Sequence, residues 1–193
     1  MALARKLATY DDLLAYPEGT RTEILAGEIH VQPSPTLKHQ LTAGELMTEL
    51  SSPFQRGRGG PGGWRIVENI DIRFTPHDVV CPDVSAWRQA RLPLSAARLI
   101  EVVPDWICEV LSPSNFRHDR GYKADLYASH GVANYWLIDP VARQLEAFTL
   151  ESGRWLRLGA YDETMNIRVP PFDAVEIPLS VLFPQDPPDP SQP

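Results

Sequence analysis

The sequence predicts one α/β (α+β) domain, and three observations carry that expectation. The near-continuous apolar run Trp106 to Leu111, a helix-compatible stretch ending at Ser129, and a second apolar run, Asn134 to Ile138, stand in the order of a strand–helix–strand unit. Two short β-prone runs flank Ala26-Gly27, as in a hairpin. Further β-branched and aromatic runs lie between Trp64 and Trp87 and again after Leu145. With 193 residues, 43% of them hydrophobic and 22% charged, the chain has enough apolar material for one ordinary core, which excludes a wholly disordered chain or a disulfide miniprotein.

In chain order, Thr9-Tyr-Asp-Asp12 matches a capping box and opens a short helix that Pro17 stops. Thr22 to Leu25 and Glu28 to Gln32 form the hairpin, with Gly27 free to take a positive φ. Thr36 can cap the next helix, in which Leu37, Leu41, Gly44, Met47 and Leu50 recur at spacings of three and four and mark its apolar face. Gly57-Arg-Gly-Gly-Pro-Gly62 matches G-x-G-x-x-G, but it follows a helix and precedes a strand, the reverse of a dinucleotide site, so it reads as a mobile loop. Trp64 to Val67, Ile70 to Phe74, Val79 to Cys81 and Val84 to Trp87 read as a meander. Leu92 to Val103 is a linker with a helical turn, and Trp106 to Leu111 a central strand ended by Ser112-Pro-Ser114. Asp119 can cap a helix that Gly131 terminates, and Asn134 to Ile138 is the returning strand. Leu145 to Leu150 and Trp155 to Leu158 add antiparallel strands. The domain spans residues 1–185, and Asp186 to Pro193, four prolines and nothing apolar in eight residues, forms a disordered tail.

Composition narrows the function. No window approaches the roughly 18 apolar residues of a membrane span, and Met1 to Thr9 lacks a signal-peptide apolar region, so a cytoplasmic protein is expected. Cys81 and Cys108 sit in apolar runs and would point to different faces, so neither a bridge nor a shared metal is expected. No H-E-x-x-H, C-x-x-C, G-x-S-x-G or Walker sequence occurs. A formal charge of −7 opposes nucleic-acid binding unless Arg56, Arg58, Arg65, Arg117 and Arg120 gather on one face or a homodimer shapes a basic cleft.

The informative residue is Glu109, a carboxylate inside an apolar strand, which requires a cation, a metal or a raised pKa. A structural salt bridge would satisfy it equally. Asp83 follows the rigid Pro82 and can project at a strand end, as a turn residue or as a ligand. Asp119, Lys123 and Tyr127 stand four apart on one helix stripe, where Asp119 and Lys123 suit a surface pair. The order Asp, buried-strand Glu, nearby Lys also fits two carboxylates holding a Mg²⁺-type cation with a lysine charge beside a phosphate or an attacking water.

Pro82-Asp83-Val84, Pro104-Asp-Trp-Ile-Cys-Glu109-Val-Leu-Ser-Pro-Ser114, Asp119-x-x-x-Lys123-x-x-x-Tyr127-x-x-x-Gly131-Val132 and Tyr135-Trp-Leu-Ile-Asp139-Pro140 together resemble the Uma family of restriction endonucleases, assigned to the PD-(D/E)XK nuclease superfamily. The resemblance extends from Glu23-Ile-Leu-Ala-Gly-Glu28 and His39 to about Phe183. It implies a restriction-endonuclease-like mixed β-sheet flanked by helices. It further implies a DNA substrate, Mg²⁺ or Mn²⁺ held by Asp83 and Glu109, Lys123 near the scissile phosphate, and Glu23 and His39 as supporting residues. The superfamily lysine normally lies two residues after the glutamate, a position held here by Leu111, so Lys123 would serve from the following helix. Read alone, His39 also suits a packed helix histidine, and Glu23 a solvent-facing strand residue. Two rival functions follow, a non-catalytic protein-binding scaffold of the same fold and a hydrolase of small phosphate esters.

Overall fold

The computed structural model describes residues 6–94, 98–113 and 115–185. The expected tail, 186–193, lies outside the described residues. A six-stranded sheet has the order β11-β10-β9-β8-β6-β3, from Arg154–Asp162, Gln144–Glu151, Asn134–Asp139, Trp106–Val110, Val84–Arg88 and Trp64–Glu68. A five-stranded sheet has the order β2-β1-β5-β4-β7, from Glu28–Val31, Thr22–Leu25, Asp78–Val80, Asp71–Thr75 and Leu99–Ile100. The short pair β12 (Asn166–Ile167) and β13 (Ile177–Pro178) closes the C-terminal part. Parallel β8–β9 pairing confirms the strand–helix–strand unit, and antiparallel pairing elsewhere makes the six-stranded sheet mixed.

The expected meander is corrected. β3 and β6 pair in the larger sheet, while β4 and β5 pair in the smaller. Between β3 and β6 the chain therefore crosses between sheets twice, at Asn69, whose φ of 50° turns it sharply, and at Cys81-Pro82-Asp83. These crossings leave Asn69 and Asp83 side by side at the sheet junction, where the Asn69 N–H donates to the Asp83 carbonyl at 3.3 Å.

The hairpin forms as expected, with Ala26 (φ 51°) and Gly27 (φ 76°) giving the double positive-φ turn that matches strand twist. The opening helix α1 (Tyr10–Leu13) is held by Asp12, which accepts from the Thr9 N–H at 2.8 Å. Helix α2 (Leu37–Leu50) begins at Thr36, whose hydroxyl accepts from the His39 N–H. Its buried face is turned from the predicted one: Leu50 and Met47 pack on the core as expected, but the leading leucines do not. His39, Thr42, Ala43, Leu46 and Leu50 point inward, while Leu37 is 74% exposed and Leu41 is also exposed. The polar anchor at His39 rotates the helix away from its leading leucines.

A π-helical turn, Ser51–Gln55, extends α2. The glycine loop is pinned to it by bonds from Arg58 N–H to the Ser52 carbonyl and from Gly62 N–H to the Pro53 carbonyl, both 2.9 Å. Gly60 packs so closely on Pro53 that a Cβ there would lie 2.5 Å from the ring, which explains a glycine at that point. In place of the linker's expected helical turn, its described residues carry β7, paired in parallel with β4.

Strand alternation divides the core. One face of the larger sheet, with Trp106, Cys108 and Val110, packs on Leu46 and Leu50 of α2 and on Phe172, Leu179 and Phe183. The other face, with Ile107, Tyr135 and Leu137, packs on Leu25, Ile72 and Val80 of the smaller sheet and on Leu126 and Tyr127. Glu109 shares the parity of Ile107, so it points between the two sheets.

Candidate active site

Every residue anticipated for the site arrives at the junction of the sheets. Glu23 comes from β1, His39 from α2, Asp83 from the second crossing, Glu109 from β8 and Lys123 from the helical crossover, and all five side chains are buried. The crossover consists of α3 (Phe116–His118), a π-helical turn (Asp119–Lys123) and α4 (Ala124–Ser129). Asp119 does not cap it. The helical stretch starts earlier, and the Asp119 N–H already donates to the Asn115 carbonyl at 3.1 Å, so Asp119 lies inside the helical stretch and not at its start. Its carboxylate turns inward instead.

Lys123, only 2% exposed, sits among three carboxylates, with Nζ 2.7 Å from Glu109 Oε1, 3.1 Å from Glu23 Oε1 and 3.2 Å from Asp119 Oδ1. Three contacts match the three protons of an ammonium group. Burial works against the lysine's charge, but Glu109 and Glu23 outweigh it and hold the Lys123 pKa well above its ordinary value. Burial pushes Glu109 far up despite Lys123, with Asp119, Asp83 and Glu23 adding to the rise. Asp119 is raised by burial to about 6, again against Lys123. The surface-pair reading of Asp119 and Lys123 is thus corrected, because the wider π turn and the second sheet enclose both side chains.

The second half of the cluster centres on Asp83. Its Oδ2 accepts from the Val110 N–H at 2.8 Å, and its own N–H donates to Glu109 Oε2 at 3.4 Å, which ties the two carboxylates together. Asp83 Oδ1 accepts from His39 Nε2 at 3.0 Å and from Arg21 Nη2 at 3.1 Å. Burial lowers the His39 pKa, Asp83 opposes and Arg21 reinforces, which favours the neutral ring, and Asp83 as acceptor calls for its proton on Nε2. Tyr127 donates from its hydroxyl to Glu109 Oε1 at 2.7 Å, Glu23 Oε1 accepts from the Cys81 N–H at 2.9 Å, and Gln32 donates to Glu23 Oε2.

Sequence reasoning missed Arg21 and Gln32 and misplaced Asp119. A signal for Arg21 existed, since it lies two residues before Glu23 and so shares its face of the chain. Gln32 is across the hairpin, with its N–H donating to the Arg21 carbonyl at 2.8 Å.

The arrangement is that of a buried acidic centre with a counter-lysine at a strand–helix–strand unit. A family model described as "Putative restriction endonuclease", Uma2, matches residues 7–180. The chain belongs to the Uma2 family. Among solved structures the fold is similar to "a putative nuclease belonging to DUF820 from Anabaena variabilis ATCC 29413", with a TM-score of 0.74 over 91% of this chain and 97% of that one at 24% identity. No curated protein matches. Uma2 membership and the shared fold point to a restriction-endonuclease-like nuclease, a class that acts on nucleic acid and generally uses divalent metals. Among the described residues no helix of this Uma2 protein is long and apolar enough to cross a membrane.

The Uma2 site suits a hard divalent cation by donor type and charge. Glu23, Asp83, Glu109 and Asp119 supply four carboxylates against the two cations Lys123 and Arg21, an excess of two negative charges when all are ionised. Among the described residues no three His, Cys, Asp or Glu side chains are grouped to hold an ion. Two carboxylates completed by waters and substrate oxygens are the usual Mg²⁺ arrangement.

Proposed function

We propose that the protein is a metal-dependent endodeoxyribonuclease that hydrolyses a phosphodiester with an activated water. The observation that carries this reading is the joined pair Asp83 and Glu109, buried together with two more carboxylates and short of positive charge. Asp83 and Glu109 would hold Mg²⁺ or Mn²⁺. Such an ion, when bound, lowers the pKa of a water and offsets charge on the phosphate.

The chain's own residues then have separable tasks. His39 and the Val110 N–H fix the Asp83 carboxylate, and Tyr127 fixes Glu109. Lys123 opposes the rise that burial imposes on Glu109 and pairs with Glu23 at 3.1 Å. Because all three of its protons face carboxylates, Lys123 acts by stabilising the charge of the ligands, and Glu23 by holding Lys123.

The test is relaxation of supercoiled plasmid DNA with Mg²⁺, Mn²⁺ or EDTA, using wild type, Asp83→Ala and Glu109→Ala. Nicking should need the metal and fall by at least about 10³-fold in each folded variant, as expected when a metal ligand is removed. Equal nicking in EDTA, or by a folded Asp83→Ala protein, would overturn the metal site, and no nicking by wild type with either metal would leave the scaffold function in its place.

A further inference from the structure

Arg21 is the one cation of the cluster that also reaches solvent. Its side chain is 22% exposed and lines a cleft of about 710 Å³ together with Tyr10, Tyr16, Asn69, Asp71 and Cys81. Among the described residues a single nitrogen, Nη2, makes its hydrogen bonds, 3.1 Å to Asp83 Oδ1 and 3.0 Å to Asn69 Oδ1. Its Nε is buried and has no partner among the described residues. A buried guanidinium N–H left unpaired is costly, so the fork is held in place for something other than its present bonds. The pull of Asp83 is what holds it, since burial alone would lower the Arg21 pKa.

The cation's position is also in conflict with the proposed reaction. Arg21 neutralises Asp83 Oδ1, an oxygen of one of the two carboxylates assigned to the metal. A divalent ion at Asp83 and a guanidinium on the same carboxylate repel each other. Arg21 lines the cleft, and a planar fork suits two phosphate oxygens better than an ammonium does. Lys123, enclosed by three carboxylates, cannot offer that contact.

We infer that Arg21 is a substrate-binding residue that exchanges partners, covering Asp83 in the metal-free protein and taking a phosphodiester in the cleft once the metal is bound. This rests on the proposed metal site. The test therefore reads binding instead of cleavage. Mn²⁺ alone is titrated calorimetrically into wild type, Arg21→Gln and Arg21→Lys, and a fluorescein-labelled DNA duplex is titrated into the same proteins in Ca²⁺ by anisotropy.

Arg21→Gln should bind Mn²⁺ about tenfold more tightly, because a competing charge is gone, and the duplex about tenfold more weakly. A residue with only a structural role would not move the two affinities in opposite directions. Should Arg21→Gln fail to fold, Arg21→Lys retains the charge without the fork. It should then match wild type for Mn²⁺ and bind the duplex several-fold more weakly. Wild-type affinities for both probes in the folded variant would overturn the role of Arg21 and leave the metal site standing. A wild type that does not bind Mn²⁺ would remove the metal site, and the Arg21 exchange with it.

Discussion

Lys123 is the residue on which the electrostatics of the cluster turn. Replacing it with Met keeps much of its volume but strips the shared counter-ion from Glu23, Glu109 and Asp119. Breaking a buried ion cluster from one side costs about 3–5 kcal/mol, so Lys123→Met should lose about that much stability at pH 8. The deficit should depend on pH with a defined sign. Asp119 is already raised to about 6 in the folded protein and Glu109 is raised well above its ordinary value, and without Lys123 both would rise further. A carboxyl whose folded pKa exceeds its unfolded one contributes stability below the unfolded pKa, near 4, and loses it as pH rises through the folded pKa. The Lys123→Met deficit should therefore shrink as pH falls from 8 towards 5. Urea denaturation across that range checks it, and a deficit independent of pH would show that the carboxylates do not depend on Lys123.

At the level of single elements, the hairpin, the central strand and the crossover were legible because each carries a local signature. Ala26-Gly27 specifies its turn, and Trp106 to Val110 is apolar on both faces because both are covered. Glu109 stood out for the same reason, as a charge in an otherwise apolar strand. The orientation of α2 was not legible, because its leucines follow helical spacing while the direction that matters is set by His39 reaching Asp83 on another element. Nor could the division of β3–β6 between two sheets be read, since each strand looks the same to a local pattern whichever partner it takes. The π turn at Asp119–Lys123 has no sequence mark either, yet both of its end residues point into the cluster. The face of α2 gives a direct check. Leu46 is fully buried in the larger core, whereas Leu41 faces solvent. Leu46→Ala should cost about 2–4 kcal/mol and Leu41→Ala less than about 0.5 kcal/mol in chemical denaturation. The reverse order would restore the face read from leucine spacing.

For the molecule as a whole, the charged cluster joins what the strand pairing separates. Glu23 belongs to the smaller sheet, Glu109 to the larger, and Lys123 on the crossover bonds both. The apolar layer between the sheets is shared as well, with Leu25, Ile72 and Val80 against Trp87, Ile107 and Leu137. Two sheets connected by a common core and a common ion cluster should unfold as one unit. The distribution of tryptophan makes this measurable. All five lie in strands of the larger sheet, Trp64 in β3, Trp87 in β6, Trp106 in β8, Trp136 in β9 and Trp155 in β11, and the smaller sheet has none. Fluorescence thus reports chiefly the larger sheet, with Trp87 facing the smaller one, while far-UV circular dichroism reports both. In wild type the two urea transitions should coincide. In Lys123→Met, where the smaller sheet loses its ionic tie through Glu23, the dichroism transition should begin at lower urea than the fluorescence transition. Separate transitions already in wild type would mean that the sheets fold independently and that the cluster is an adornment of one of them; coincident transitions in the variant would assign the coupling to the apolar layer alone.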